Sequence, residues 1–161
     1  MDNTENARML AIGYLDARNY QRAEEVLRSA LTHNPQDVML LTEMARTKFL
    51  MGDHRGAERF ALQALVLEPE NGYPMRIYAA TLGALGRRKE ALSWAQRAID
   101  AAPLDYLTHY EYAMLLVNGG DKAAAETALP VVTEALRLGP DDADCHNLLG
   151  LVLGGLGRTA E

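Results

Sequence analysis

Apolar residues recur along this chain at helical spacing, in blocks that each end on a proline. Ala57, Ala61, Ala64 and Leu65 precede Pro69, and Ala91, Ala95, Ala98 and Ile99 hold the same places before Pro103. Steps of three and four put these residues on one stripe of a helix surface. Each block therefore predicts a helix, called B. Upstream of each B block a second helical pattern, A, carries a large anchor followed by a small residue. The pairs are Leu10-Ala11, Met44-Ala45, Tyr78-Ala79, Tyr112-Ala113 and Leu149-Gly150. Small residues at such places let two helix axes approach, since a longer side chain would hold the backbones apart.

The pattern is periodic. Pro35, Pro69 and Pro103 are spaced by 34 residues, and Gly52 and Gly86 hold matching turn positions between A and B. The first unit has Ala23 and Ala30 in phase, with Arg18 in place of the glycine. Fixed self-similarity of this length predicts a stack of helix pairs within one domain, residues 1–161. The units run from about 4–37, 38–71, 72–105 and 106–142, with a partial fifth at 143–161. Asp or Asn after each proline is placed to cap the next A helix.

Small residues, a glycine turn and a closing proline in several in-phase copies resemble the tetratricopeptide repeat family, over nearly the whole chain. The resemblance implies an all-α fold, a right-handed superhelical solenoid of four antiparallel helix pairs plus one extra helix. The position often aromatic at the start of the repeat is Ala7, Leu41, Met75, His109 and His146. The bulky residue in mid-B is Leu27 in the first unit and only Ala61 and Ala95 in the next two, which predicts close packing there. Lys48 replaces an aromatic or leucine late in an A helix.

The resemblance further implies a concave surface lined by one stripe of the A helices. Transferred by position, that stripe is Arg8, Ile12 and Leu15, then Thr42, Arg46 and Phe49, then Arg76, Ala80 and Gly83, then Tyr110, Met114 and Val117. A row of arginines suits acidic side chains, and Phe49, Tyr110 and Met114 suit apolar ones. The expected role is a non-catalytic interaction module, an adaptor, scaffold or chaperone-like part. It would bind an acidic or mixed apolar-acidic peptide through Arg8, Arg46, Phe49, Arg76, Tyr110, Met114 and Val117. The specialised clamp for a terminal carboxylate is not matched, because Ile12 stands where an Asn is required.

Two stretches break the rhythm. Gly120 to Pro140 is three residues longer than Gly86 to Pro103, which predicts an insertion within Asp121 to Thr127, either a protruding partner-binding loop or a tolerated surface insertion. Pro130 follows and is expected to kink the helix or delay its start. The fifth unit supplies an A pattern alone, with Leu148, Leu149, Leu151, Val152, Leu153 and Leu156 running around most of it. That reads as the front part of a longer protein, or as a self-association surface forming a homo-oligomer. A helper region of a longer enzyme or membrane protein is the third alternative.

Composition narrows the chemistry. A net charge of −6 and a pI near 5.2 disfavour a phosphate backbone, so nucleic acid is not an expected partner. No apolar run is long enough for membrane insertion, no signal peptide opens the chain, and the single Cys145 fits a reducing compartment, so the expected location is cytoplasmic. The four histidines are scattered over different units, and Cys145-His146 cannot both face one ion, so no metal or other cofactor is expected. Gly155-Leu156-Gly157-Arg158-Thr159-Ala160 loosely fits a dinucleotide fingerprint, but no strand, helix or ribose-binding acid follows. No catalytic constellation is present, and the chain is read as not an enzyme.

Overall fold

A computed structural model describes residues 3–157. The end of the 143–161 stretch, including Arg158, Thr159 and Ala160 of the glycine-rich match, lies outside the described residues. Among the described residues there are nine helices and no strand. They are α1 (Asn3–Asp16), α2 (Tyr20–His33), α3 (Val38–Leu50), α4 (His54–Leu67), α5 (Gly72–Ala84), α6 (Arg88–Ala101), α7 (Tyr106–Val117), α8 (Lys122–Leu138) and α9 (Ala143–Gly155). Odd-numbered helices are the A type and even-numbered ones the B type.

Local chemistry explains the boundaries. Asp37, Asn71, Asp105 and Asp142 stand after the prolines and accept from the first-turn amides of Leu40, Tyr73, Leu107 and Cys145. These side chains satisfy donors that have no partner inside the helix. In the turns that follow the A helices, Gly52, Gly86, Gly120 and Gly157 have φ between 68° and 81°, while Arg18 is forced to φ 55° at the same place. Left-handed backbone penalises a Cβ. Gly86→Ala is therefore expected to cost about 1 kcal/mol, and Arg18→Gly to gain about as much. Chemical-denaturation midpoints check both.

Each helix packs on the next, and each A helix also touches the next A helix, whereas no B helix touches the following B helix. The A helices therefore form the inner, concave wall of a right-handed solenoid. Ala11, Ala45, Ala79 and Ala113 are all at 0% exposure, at the close approaches predicted for them. Ala61 and Ala95 are equally enclosed, so the small mid-B residues do mark tight packing. Gly150 differs: it is exposed with nothing within 4 Å of where a Cβ would stand, because no helix follows α9 among the described residues to cover that side.

The long fourth unit makes no protruding loop. Its extra residues lengthen α8 to 17 residues, against 14 in α2, α4 and α6. Ala125, Ala128, Val132 and Ala135 keep one buried stripe along it. Pro130 sits inside this helix and does not delay its start, because Asp121 already caps it through the Ala124 amide.

Lys48, the departure late in α3, is a tie between units. Its Nζ lies 3.0 Å from Glu24 Oε1 on α2 and 3.6 Å from Asp53, the N-cap of α4. His109 and His146, at the usual aromatic place, hydrogen-bond through Nε2 to the carbonyl oxygens of Pro103 and Pro140. Cys145 is buried, and burial together with the Asp142 carboxylate pushes its thiol up to about 12, leaving it protonated at neutral pH.

Candidate functional site

The concave wall brings Arg8, Arg46 and Arg76 onto consecutive A helices, α1, α3 and α5. Neither Arg8 nor Arg76 makes an ion pair with a described residue. Arg46 is partly committed: its Nη1 lies 3.6 Å from Glu43 Oε2, and its side chain keeps 34% exposure. The Arg76 guanidinium sits 5.1 Å from the centroid of the Tyr73 ring, and its Nε is buried without a hydrogen-bond acceptor. A stacked guanidinium of this kind keeps its charge while losing freedom to wander.

Beneath the arginines lies an acid that the pattern of apolar and small residues did not single out. Glu43 is only 2% exposed, and its Oε1 accepts from the Tyr73 hydroxyl at 3.0 Å. Burial raises its carboxyl above the ordinary range, against the pull of Arg46, the Tyr73 hydroxyl and Arg8. Tyr73 is pushed up to about 12 by its own burial and by the neighbouring carboxylate. Glu111, on α7, is raised to about 7 by burial, opposed by the Arg76 charge. A row of charge of both signs thus crosses the wall: Arg8, Glu43, Arg46, Arg76, Glu111.

The signal for the acids was present in the repeat register. Glu43 and Glu111 stand 68 residues apart, two periods, and each follows an arginine by 35 residues. Tyr73→Phe removes the donor that the buried Glu43 uses, so it is expected to cost about 2 kcal/mol at neutral pH. Thermal unfolding of the two forms measures that loss.

The remaining groove positions are partly engaged by the fold. Phe49 packs its ring 5.4 Å from that of His54. Tyr110, Met114 and Val117 are partly buried against the α7–α8–α9 core. Gly83 is no open floor, since a Cβ there would come within 2.5 Å of Leu115 on α7. At the far end, Leu148 and Val152 are core residues at 1% and 0% exposure and are not available to another chain. Leu151 is 63% exposed, and Leu149, Leu153 and Leu156 are partly so. No metal-binding cluster and no helix long and apolar enough to cross a membrane occur among the described residues.

With this geometry described, comparison with known proteins is decisive for the family. A tetratricopeptide repeat model matches residues 9–137. The chain belongs to the tetratricopeptide repeat family. Its fold is close to that of a thermophilic tetratricopeptide protein of Thermus thermophilus, at TM-score 0.87 and 21% identity, covering 96% of this chain and 84% of that one. It is also similar to PilW, described as a type IV pilus biogenesis factor, at TM-score 0.81 and 18% identity, covering 98% of this chain and 72% of the other. At these identities the likeness is one of fold.

A curated relative is protein O-mannosyl-transferase Tmtc1 of Drosophila melanogaster, 32% identical over 113 residues, which is 66% of this chain and 13% of that protein. The chain matches only this small part of the relative's length, and the transferase activity in its name is a property of that protein. The tetratricopeptide fold is that of a protein–protein interaction module in general, and its family is typically one of non-catalytic scaffolds.

Proposed function

We propose that this tetratricopeptide array binds an extended segment of a protein partner along its concave wall, as an adaptor or scaffold. The observation that carries this reading is the row of Arg8, Arg46 and Arg76 on three successive A helices of an otherwise acidic chain. Acidic side chains of the segment meet Arg8 and Arg46, and its apolar residues lie over Tyr110, Met114 and Val117. Phe49 flanks the path. A cytoplasmic setting suits the unpaired Cys145, which is held as an inert thiol.

Selection of random extended peptides on the wild-type chain tests the proposal. Enriched peptides are expected to be acidic or mixed acidic-apolar, to bind more weakly as salt is raised, and to lose about tenfold or more in affinity against Arg46→Glu/Arg76→Glu. Enriched peptides that bind this helical double variant equally well would place recognition elsewhere.

A second reading, self-association through α9, is favoured by the 63% exposure of Leu151 and the open flank at Gly150. A mass that stays monomeric at every concentration eliminates it.

A further inference from the structure

We propose that the cleft between α2 and α4, on the outer face of the array, takes a carboxylate carried beside a bulky apolar group, that is, an Asp or Glu next to a large apolar side chain of a protein partner. This is a second surface, independent of the concave wall.

The cleft exists because successive B helices do not touch, so α2 and α4 stand apart over α3. It is a cavity of about 330 Å³. Leu31 on α2, Met44 on α3 and Phe60 on α4 supply its apolar lining. Arg28, Lys48 and Arg59, one from each of the same helices, supply its cations.

These cations belong to this cleft and not to the repeat. One unit on, the places of Arg28, Lys48 and Arg59 are held by Leu62, Leu82 and Ser93. A further unit on, allowing for the three extra residues of α8, they are held by Gln96, Leu116 and Pro130. Met44 and Phe60 likewise give way to Tyr78 and Trp94, whose rings meet edge-on at 5.1 Å and take up that place themselves.

Neighbouring acids answer only part of the charge. Glu24 Oε1 accepts from both Arg28 and Lys48, and Lys48 also lies 3.6 Å from Asp53. Arg28 spends Nη2 on Glu24, and its side chain is 68% exposed. Arg59 makes no ion pair with a described residue, and its guanidinium is set 5.1 Å from the centroid of the Phe60 ring. Three cations thus meet two acids, and one positive charge remains over. A single carboxylate, held by the guanidinium forks that line the cleft, balances it. A phosphate dianion overshoots it, and an ammonium adds to it. Leu31, Met44 and Phe60 meanwhile offer contact to the apolar group beside the carboxylate, which shields the ion pair from water. One anchor of this size binds weakly alone, so the cleft does not compete for a peptide selected on the concave wall.

The test is a titration of the full chain with small probes, followed by NMR on the Met44 methyl and the Arg28 and Arg59 Nε–H signals. Hydrocinnamate, a carboxylate on a phenyl-bearing chain, is expected to shift all three saturably. Acetate lacks the apolar body, hydrocinnamide lacks the charge and phenethylamine reverses it, and each should bind about tenfold more weakly or worse. Phenyl phosphate should bind no more tightly than hydrocinnamate. Arg28→Leu/Arg59→Ser and Phe60→Trp introduce the residues that this chain carries at the same places one unit on, so both are expected to fold, which melting curves check. Read on the Met44 methyl, each should cost hydrocinnamate about tenfold or more, whereas Arg46→Glu/Arg76→Glu on the concave wall should cost it nothing. No saturable hydrocinnamate shift, equal binding of acetate or hydrocinnamide, or tighter binding of phenyl phosphate would each overturn the proposal. So would hydrocinnamate binding that survives Arg28→Leu/Arg59→Ser, or that is lost with Arg46→Glu/Arg76→Glu.

Discussion

Glu111→Gln is expected to raise the stability of the chain by about 3 kcal/mol at about pH 8 and to leave it unchanged at about pH 4. Burial carries this carboxyl from 4.5 to about 7 in the folded chain. Its neutral form is therefore preferred in the fold, and its contribution is fully present below the unfolded value of 4.5. Between these values the folded state holds the extra proton, so stability falls as pH rises and is lost by the time the group ionises near 7. Such a displacement corresponds to about 3 kcal/mol. Glutamine keeps the neutral form at every pH. Denaturant unfolding from about pH 5 to 8 should show a downward slope for the wild type and a flatter line for the variant, the residual slope belonging to the raised Glu43. An unchanged slope in the variant would show that Glu111 is as well solvated in the fold as in the open chain.

Ala79→Leu and Gly150→Leu, substitutions at equivalent repeat positions, are expected to have opposite outcomes. Ala79 is at 0% exposure where α5 and α6 approach, inside the central core with Tyr78, Leu82, Ala91 and Ala95. The added atoms have no space to occupy, so neighbours must leave their rotamers or the helices must part, a loss of about 3 kcal/mol. Gly150 holds the same place on α9, yet no atom lies within 4 Å of where its Cβ would stand. Leucine there meets no obstacle and replaces a poor helix former, for a gain of about 1 kcal/mol. Melting temperatures of the two variants settle the contrast; equal losses at both positions would mean that Gly150 is packed after all.

The same two residues show what was legible in the sequence. Alanine in the A pattern, glycine in the turn and proline at the close repeat because each is a local steric requirement, so periodicity alone carries the helix pairs and their order. Local steric rules also foretold the caps at Asp37, Asn71 and Asp105. For the extra residues of α8 the sequence left a protruding loop and a tolerated insertion both open, because it shows an added length but not whether it continues a helix. Asp121 and the alanines after it decide that, by capping and by prolonging the buried stripe.

The groove was legible only in part. Arg8, Arg46 and Arg76 follow from position on the A helices, whereas the role of Glu43 depends on a hydroxyl from another unit, Tyr73. A contact across 30 residues leaves no local trace, and a single acid among apolar neighbours reads as an exposed helix residue until its burial is known. Lys48 was visible as a departure from the residue type usual at its repeat position, and was explained only by Glu24 and Asp53 coming within reach of its Nζ. For the apolar end, Leu148 and Val152 could not be separated from Leu151 by hydropathy. Only the packing of α8 on α9 distinguishes them.

The central claim, that a partner segment lies on the concave wall, is tested most directly by mapping amide and side-chain NMR shifts as a peptide selected on the wild-type chain is added. The account predicts shifts concentrated on the A helices at Arg46, Phe49, Arg76, Tyr110, Met114 and Val117, with the B helices silent. Shifts confined to Leu149, Leu151, Leu153 and Leu156, or to the outer B helices, would contradict it.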